Sequence, residues 1–238
     1  MPSTLEDLVM LQPPTAERPL LGTVILLVED SRHACEAMRL ICQRSGARIR
    51  RAESLASAER HLRTYRPRIA VVDLGLPDGS GLDLIRRLAR AEPRIDGIIA
   101  VSGDEALGAA ALDAGADAFL PKPLASVSRF QAVVVALLPE PIRPPTLARP
   151  QVDTVEPDPI ALRDDLCLAA DLLRSEPEAR TIAYVATFLA SLAKDAGDPA
   201  LAEIAGRIAA LSDGTGGVVT ARRLAAEVQA RIDRLELV

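Results

Sequence analysis

The sequence predicts an α/β domain followed by a smaller all-α domain, and three observations carry that expectation. Between Leu21 and Leu138, short β-branched runs alternate with amphipathic helical stretches, the pattern of a parallel sheet with helices on both faces. Seven prolines between Pro139 and Pro159 exclude helix and central strand over that stretch. After Asp158, apolar residues recur at three and four, the spacing of one helical face.

Taken in order, residues 1–21 hold Pro2, Pro13, Pro14 and Pro19 and read as a flexible leader, in which Ser3 and Glu6 could close one capping box. Strands are expected at Val24–Val28, Ala47–Arg51, Ile69–Val72, Gly97–Val101 and Ala118–Leu120. Four of the five are short and strongly apolar, as buried parallel strands are. Helices are expected at about 32–45, 54–65, 80–91, 104–114 and 124–138, with Ser54 capping the second and Gly46 and Gly115 at helix C-terminal positions. The simplest strand order is 2-1-3-4-5, the flavodoxin-like arrangement. The expected divisions are a leader (1–21), an α/β domain (22–138), a Pro-rich linker (139–157) and a helical domain (158–238). In the last, Asp158-Pro159, Ser175-Glu176-Pro177 and Asp198-Pro199 each set a capping side chain beside a helix-starting proline. They open helices at about 159–174, 177–195 and 199–211, and a fourth runs at about 219–236 beyond the break at Gly214, Gly216 and Gly217.

Composition narrows the function. No run of about 18 apolar residues and no secretion signal is evident, so a cytoplasmic protein without a membrane partner is expected. Cys35, Cys42 and Cys167 lack the close spacing of zinc or redox sites and read as reduced core residues. Three Phe, two Tyr and no Trp argue against a module that stacks single-stranded nucleic acid. The net charge of −5 is uneven: residues 22–138 carry +2 and residues 151–238 carry −6.

In a parallel α/β sheet, ligands bind outside the carboxyl ends of the strands. Glu29 and Asp30 end the first strand and Asp73 ends the third, which lies beside it in the order 2-1-3-4-5. Three converging carboxylates repel one another unless a hard cation neutralises them, and Mg²⁺ takes oxygen ligands. Ser102 ends the fourth strand and Lys122 follows the fifth, bringing a hydroxyl and an ammonium to the same edge. This set suits phosphoryl transfer: Asp73 is the nucleophile, Lys122 and Mg²⁺ offset charge on the transferring oxygens, and Ser102 hydrogen-bonds the attached group.

The segments VILLVEDS, VVDLGLPDGSGLDLIRRL, IIAVSGD and FLPKPL, in this order and spacing, resemble the CheY-like receiver domain of bacterial two-component response regulators. The resemblance covers about half of the chain. It implies that Glu29 and Asp30 form the acidic metal-binding pair, Asp73 is the phosphoacceptor, and the Gly75 backbone carbonyl is a further metal ligand. It also implies that Ser102 is the switch hydroxyl, Phe119 the rotating aromatic and Lys122 the invariant lysine. Pro77 and Gly81 fall in the loop after the acceptor, and Lys122-Pro123 is the bond that the family commonly holds cis. Two departures are ordinary variants: Glu29 stands where Asp is commoner, and Gly103 replaces a small Ala. The phosphodonor implied is a histidine kinase or phosphotransfer protein. Once phosphorylated, Asp73 would draw Ser102 inward and Phe119 after it, repacking the surface formed by about 104–138.

His33 and His61 read as solvated helix positions rather than ligands. The arginines Arg48, Arg50, Arg51, Arg60, Arg63, Arg66 and Arg68 read as a solvated basic face. After His61 there is no histidine, which closes the phosphotransfer-bundle reading of the tail. No metal-ligand cluster of a cyclase or phosphodiesterase appears either, so an enzymatic output is not expected. The helical tail carries 9 basic against 15 acidic residues, which disfavours DNA binding and points to protein contacts. Its last stretch, with Leu224, Val228, Ile232 and Leu235, has an apolar face for bundle packing, for the receiver or for a homodimer. The expectation is therefore a phosphorylation-dependent protein-interaction switch or kinase modulator. The alternative is a transcriptional regulator with an atypical helical DNA-binding domain.

Overall fold

Strand β1 (Val24–Val28) is flanked by β2 (Arg48–Ala52) and β3 (Ile69–Asp73), and β3 continues into β4 (Gly97–Ser102) and β5 (Ala118–Pro121), giving an all-parallel sheet of order β2-β1-β3-β4-β5. The computed structural model describes residues 13–144, 146–174, 177–210 and 217–235. The chain divides into two units: one runs to Asp30 and from Ala37 to Glu156, and the other combines Ser31–Glu36 with Pro157–Val238.

The inner strands are apolar because helices cover both faces. β3 and β4 are buried along their whole length, and β1 is buried from its second residue. β2 lies on an edge, where Arg50 and Arg51 face solvent, and charge there discourages pairing with another chain. Helices α1 (Arg32–Ser45), α2 (Leu55–Thr64), α3 (Gly81–Arg90), α4 (Gly108–Asp113) and α5 (Val127–Leu137) connect or follow the strands. Ser54 caps α2 as expected, its hydroxyl accepting from the Ser57 amide at 3.1 Å. Gly46 and Gly115 both have positive φ, which L side chains rarely tolerate.

Two local features differ from the sequence expectation. The helix expected at 104–114 begins as a 3-10 turn (Glu105–Leu107), because the Asp104 carboxylate takes the Ala106 amide at 3.0 Å and tightens the entry. A two-residue hairpin also forms, Gly75–Leu76 pairing with Gly79–Ser80, too short to show any periodicity.

The proline-rich stretch is ordered by particular bonds. Thr154 bridges Ser126, and Ala148 donates its amide to the Ala16 carbonyl. Residues 139–156 count with the first unit. In the leader, Leu20 is fully buried and its amide reaches Ser45.

In the second unit, α6 (Pro159–Arg174), α7 (Ala179–Asp195), α8 (Pro199–Ala210) and α9 (Gly217–Leu235) close around Leu166, Val185, Leu189, Leu192, Leu224 and Val228. The expected apolar face of α9 is turned into this core: Leu224 and Val228 are fully buried. Asp158 and Asp198 cap α6 and α8 through the amides of Ile160 and Leu201, both at 2.9 Å. Asp198 also receives Arg231 of α9 at 2.8 Å, and this holds its carboxyl below the usual range. Asp165 is fully buried and accepts from the Ser31 hydroxyl and the amides of Arg32 and His33, so the first turn of α1 is capped by a residue far along the chain. His33, expected at a solvated position, is instead buried, and burial lowers its pKa. The expected capping box at Ser3, the cap at Ser175-Glu176 and the break at Gly214 and Gly216 lie outside the described residues. No helix among the described residues is long and apolar enough to cross a membrane.

The helical core should tolerate little loss of volume. Leu189→Ala, at a fully buried position, should cost about 2–5 kcal/mol in urea unfolding. Leu168→Ala, at a half-exposed position on α6, should change it by less than about 0.5 kcal/mol.

Candidate functional site

At the carboxyl edge of the sheet, the Lys122 ammonium is buried between two carboxylates, 2.7 Å from Glu29 Oε2 and 3.1 Å from Asp73 Oδ2. The strand order creates this meeting. Glu29 follows β1, Asp73 ends the adjacent β3, and Lys122 follows β5 across β4, with its amide bonded to the Ser102 carbonyl at 2.9 Å. Burial of so many charges is tolerable only where each has a partner. Glu29 nevertheless has its pKa pushed up, chiefly by desolvation, with Asp73 and Asp30 adding to the shift and Lys122 opposing it.

Asp30 completes the cluster: one ligand atom from each of Glu29, Asp30 and Asp73 lies within 4.8 Å of the others. Three carboxylates that present oxygen atoms alone at this spacing suit a hard divalent cation such as Mg²⁺. The Gly75 amide points back to Asp73 Oδ1 at 3.4 Å, so the turn after β3 wraps the acceptor position.

Ser102 is buried at the end of β4, beside Val101, which pairs with Asp73. Its hydroxyl accepts from the Asp104 amide at 3.1 Å. Phe119 on β5 is partly buried, pairs in register with Ala100 and packs on the sheet core. Gly108 faces its ring: a Cβ there would stand 3.1 Å from the Phe119 ring edge. Thus Glu29, Asp30, Asp73 and Lys122 meet directly, Ser102 adjoins them through the strand register, and Phe119 lies two strands from Asp73. The Lys122-Pro123 bond is cis.

Asp78 is not among the residues that the sequence marks out. Its carboxylate takes the amides of Leu55 and Ala56 at 2.8 and 2.9 Å, so the loop after Asp73 is pinned to the N-terminus of α2. No local signal marks it, because the capped helix lies more than twenty residues earlier. Of the arginines read as a solvated face, Arg68 pairs with Asp96 at 2.9 Å and Arg51 donates to the Asp30 carbonyl at 3.2 Å. Cys42, expected to be a core residue, is buried, and its thiol is pushed up to about 12.

Residues 25–134 match the response regulator receiver domain family. The chain is 33% identical over 180 residues to the KDP operon transcriptional regulatory protein KdpE of Escherichia coli (strain K12), covering 74% of each chain. The chain belongs to the response regulators. This response regulator is also 32% identical over 114 residues to the virulence transcriptional regulatory protein PhoP of Salmonella typhimurium (strain LT2), where the match takes in 46% of this chain and 51% of PhoP. Among solved structures, a CheY-like response regulator receiver domain from Methylobacillus flagellatus aligns with a TM-score of 0.44 at 26% identity, covering 49% of this chain and 98% of that one. The receiver domain of a signal transduction histidine kinase from Syntrophus aciditrophicus aligns with a TM-score of 0.45 at 27% identity, covering 49% and 89%.

Gly81 sets how closely α3 approaches the acceptor strand. A Cβ at this position would lie 2.0 Å from the Asp73 carbonyl oxygen, a backbone atom that cannot move aside cheaply. Gly81→Ala should therefore destabilise the receiver by about 1–3 kcal/mol in denaturant unfolding, whereas Gly206→Ala, with nothing within 4 Å, should not.

Proposed function

We propose that this response regulator is phosphorylated on Asp73 and that the helical region turns the phosphorylation state into control of transcription. The placement of Lys122 between Glu29 and Asp73, beside Asp30, carries the first half of this reading. An Asp73 carboxylate oxygen attacks the phosphorus of a phosphohistidine on a histidine kinase or phosphotransfer protein. The P–N bond breaks, the donor imidazole keeps the bonding pair, and an acyl phosphate forms. Lys122 offsets the charge on the phosphoryl oxygens, and the Ser102 hydroxyl donates a hydrogen bond to one of them. Mg²⁺, held by Glu29, Asp30 and Asp73 with the Gly75 carbonyl, would supply charge neutralisation at the same oxygens. Ser102 leaves its bond with the Asp104 amide as it turns, and Phe119 follows into the space released. In this reading residues 1–21 are a leader, 22–138 the receiver, 139–157 the linker and 158–238 the output domain.

Incubation with acetyl phosphate and Mg²⁺ should add the mass of one phosphoryl group, and Asp73→Asn should abolish it. Phosphorylation of the Asp73→Asn variant at the wild-type rate would move the acceptor elsewhere. The raised pKa of Glu29 has a signed consequence. The folded state holds this proton more tightly than the unfolded chain, so stability falls as pH rises from about 4.5 through the folded pKa and then levels. Melting temperatures without metal should show that slope, Glu29→Gln should flatten it, and millimolar Mg²⁺ should raise the melting temperature most on its alkaline side.

The second half rests on the match to KdpE. A match over 74% of the chain is longer than everything up to Glu156, so it takes in part of the helical region, and that relative is named a transcriptional regulatory protein. This revises the expectation drawn from charge. The overall acidity of 151–238 says less than a local face does, and α9 exposes Arg222 and Arg223 side by side, where cations could meet phosphates. Gel shifts on genomic fragments should give binding that weakens steeply with salt and drops on Arg222→Ala/Arg223→Ala. Salt-independent retention, or none, would favour the second reading, a protein-interaction output, which the acidic surface and the exposed Ile160 and Leu168 of α6 support.

A further inference from the structure

The first turn of α5 is capped by a residue that lies beyond the helix's own C-terminus. Of its orphan amides, Val127 donates to the Asp153 carbonyl at 2.7 Å, Ser128 to Asp153 Oδ1 at 2.7 Å and Arg129 to the Ser126 hydroxyl at 3.1 Å. The Ser126 hydroxyl in turn donates to Asp153 Oδ2 at 2.8 Å. The strap around Asp153 is held on both sides: Val155, nearly buried, returns its amide to the Ala125 carbonyl at 3.0 Å, and Arg44 of α1 donates to the Thr154 and Val152 carbonyls at 2.8 and 3.2 Å.

We propose that residues 151–155 form a clasp on the start of α5 that opens when Asp73 is phosphorylated and so frees the chain leading to the helical region. The proposal rests on Asp73 being the acceptor. Its groups are adjacent along the chain: Ala125–Ser128, to which the clasp binds, begins three residues after Lys122, whose ammonium touches Asp73 Oδ2. Drawing Lys122 toward an attached phosphoryl group shifts the short connection from Pro123 to Ser126. The clasp is anchored to that connection and also to Arg44 on a different helix, so one shift cannot satisfy both sets of bonds. Hydrogen bonds of modest net strength oppose the entropy of ordering five residues, two quantities of similar size, which leaves the closed state poised rather than locked. By reciprocity, opening the clasp must favour the phosphorylated form by the same factor.

The test is residue-resolved hydrogen exchange on the full chain, with and without Mg²⁺ and beryllofluoride, an acyl-phosphate mimic, alongside Asp153→Ala. ¹⁹F NMR reports whether the mimic is bound. In the wild type, the amides of Val127, Ser128 and Val155 should exchange at least about tenfold faster in the mimic-bound state, the factor lost with roughly one net hydrogen bond. The Val71 amide in β3 should be unchanged. Asp153→Ala should exchange fast at all three in both states. A bound mimic that leaves the three amides slow overturns the clasp while leaving Asp73 as acceptor. Slow exchange in unliganded Asp153→Ala overturns it as well. Absence of a bound ¹⁹F signal overturns the acceptor reading, and the clasp's control by it falls with that.

Discussion

The burial of the Lys122 ammonium against Glu29 and Asp73 is the constraint around which the receiver is organised. A charge taken out of water must find its counter-charges at hydrogen-bond distance, and here they come from the ends of two other strands, so the strand order and the site specify one another. If β3 did not lie next to β1, Asp73 would not reach Glu29, and Lys122 would lose one of its two counter-charges. The helices serve the same end. Gly81 lets α3 start in contact with the Asp73 carbonyl, and Asp78 ties the loop after the acceptor to α2.

Much of this was legible in the sequence because the periodicities are local. The five strands follow from apolar runs such as Ile69–Val72, their order is the simplest one for such a sheet, and Glu29, Asp30, Asp73 and Lys122 are found by asking what stands at strand ends. The cap at Ser54 was equally visible, since a capping side chain and its amide are three residues apart. The hairpin at Gly75–Ser80 was not, because two-residue strands have no period.

Remote carboxylate caps form the second illegible class. Asp78, Asp153 and Asp165 each satisfy amides at the start of a helix that lies elsewhere in the chain. Nothing in their neighbours distinguishes them from solvated aspartates. The same blindness misplaced His33: its sequence neighbours suggest an exposed first turn, and its burial is decided by residues more than a hundred positions away. Charge is informative at a different scale. The sum over 151–238 averages away the exposed pair on α9, and a binding face is a local property.

The cap on α5 also bears on how such a chain can change over generations. Between Leu138 and Asp153 the backbone leaves the helix and returns to its beginning, and closing a loop costs little more when the loop grows, about 0.6 kcal/mol for each doubling. The aspartate that ends the loop accepts from the Ser126 hydroxyl and from the first two amides of α5. The length of this segment can drift among descendants while one carboxylate is kept, so the segment would look unconstrained by length and constrained by a single residue.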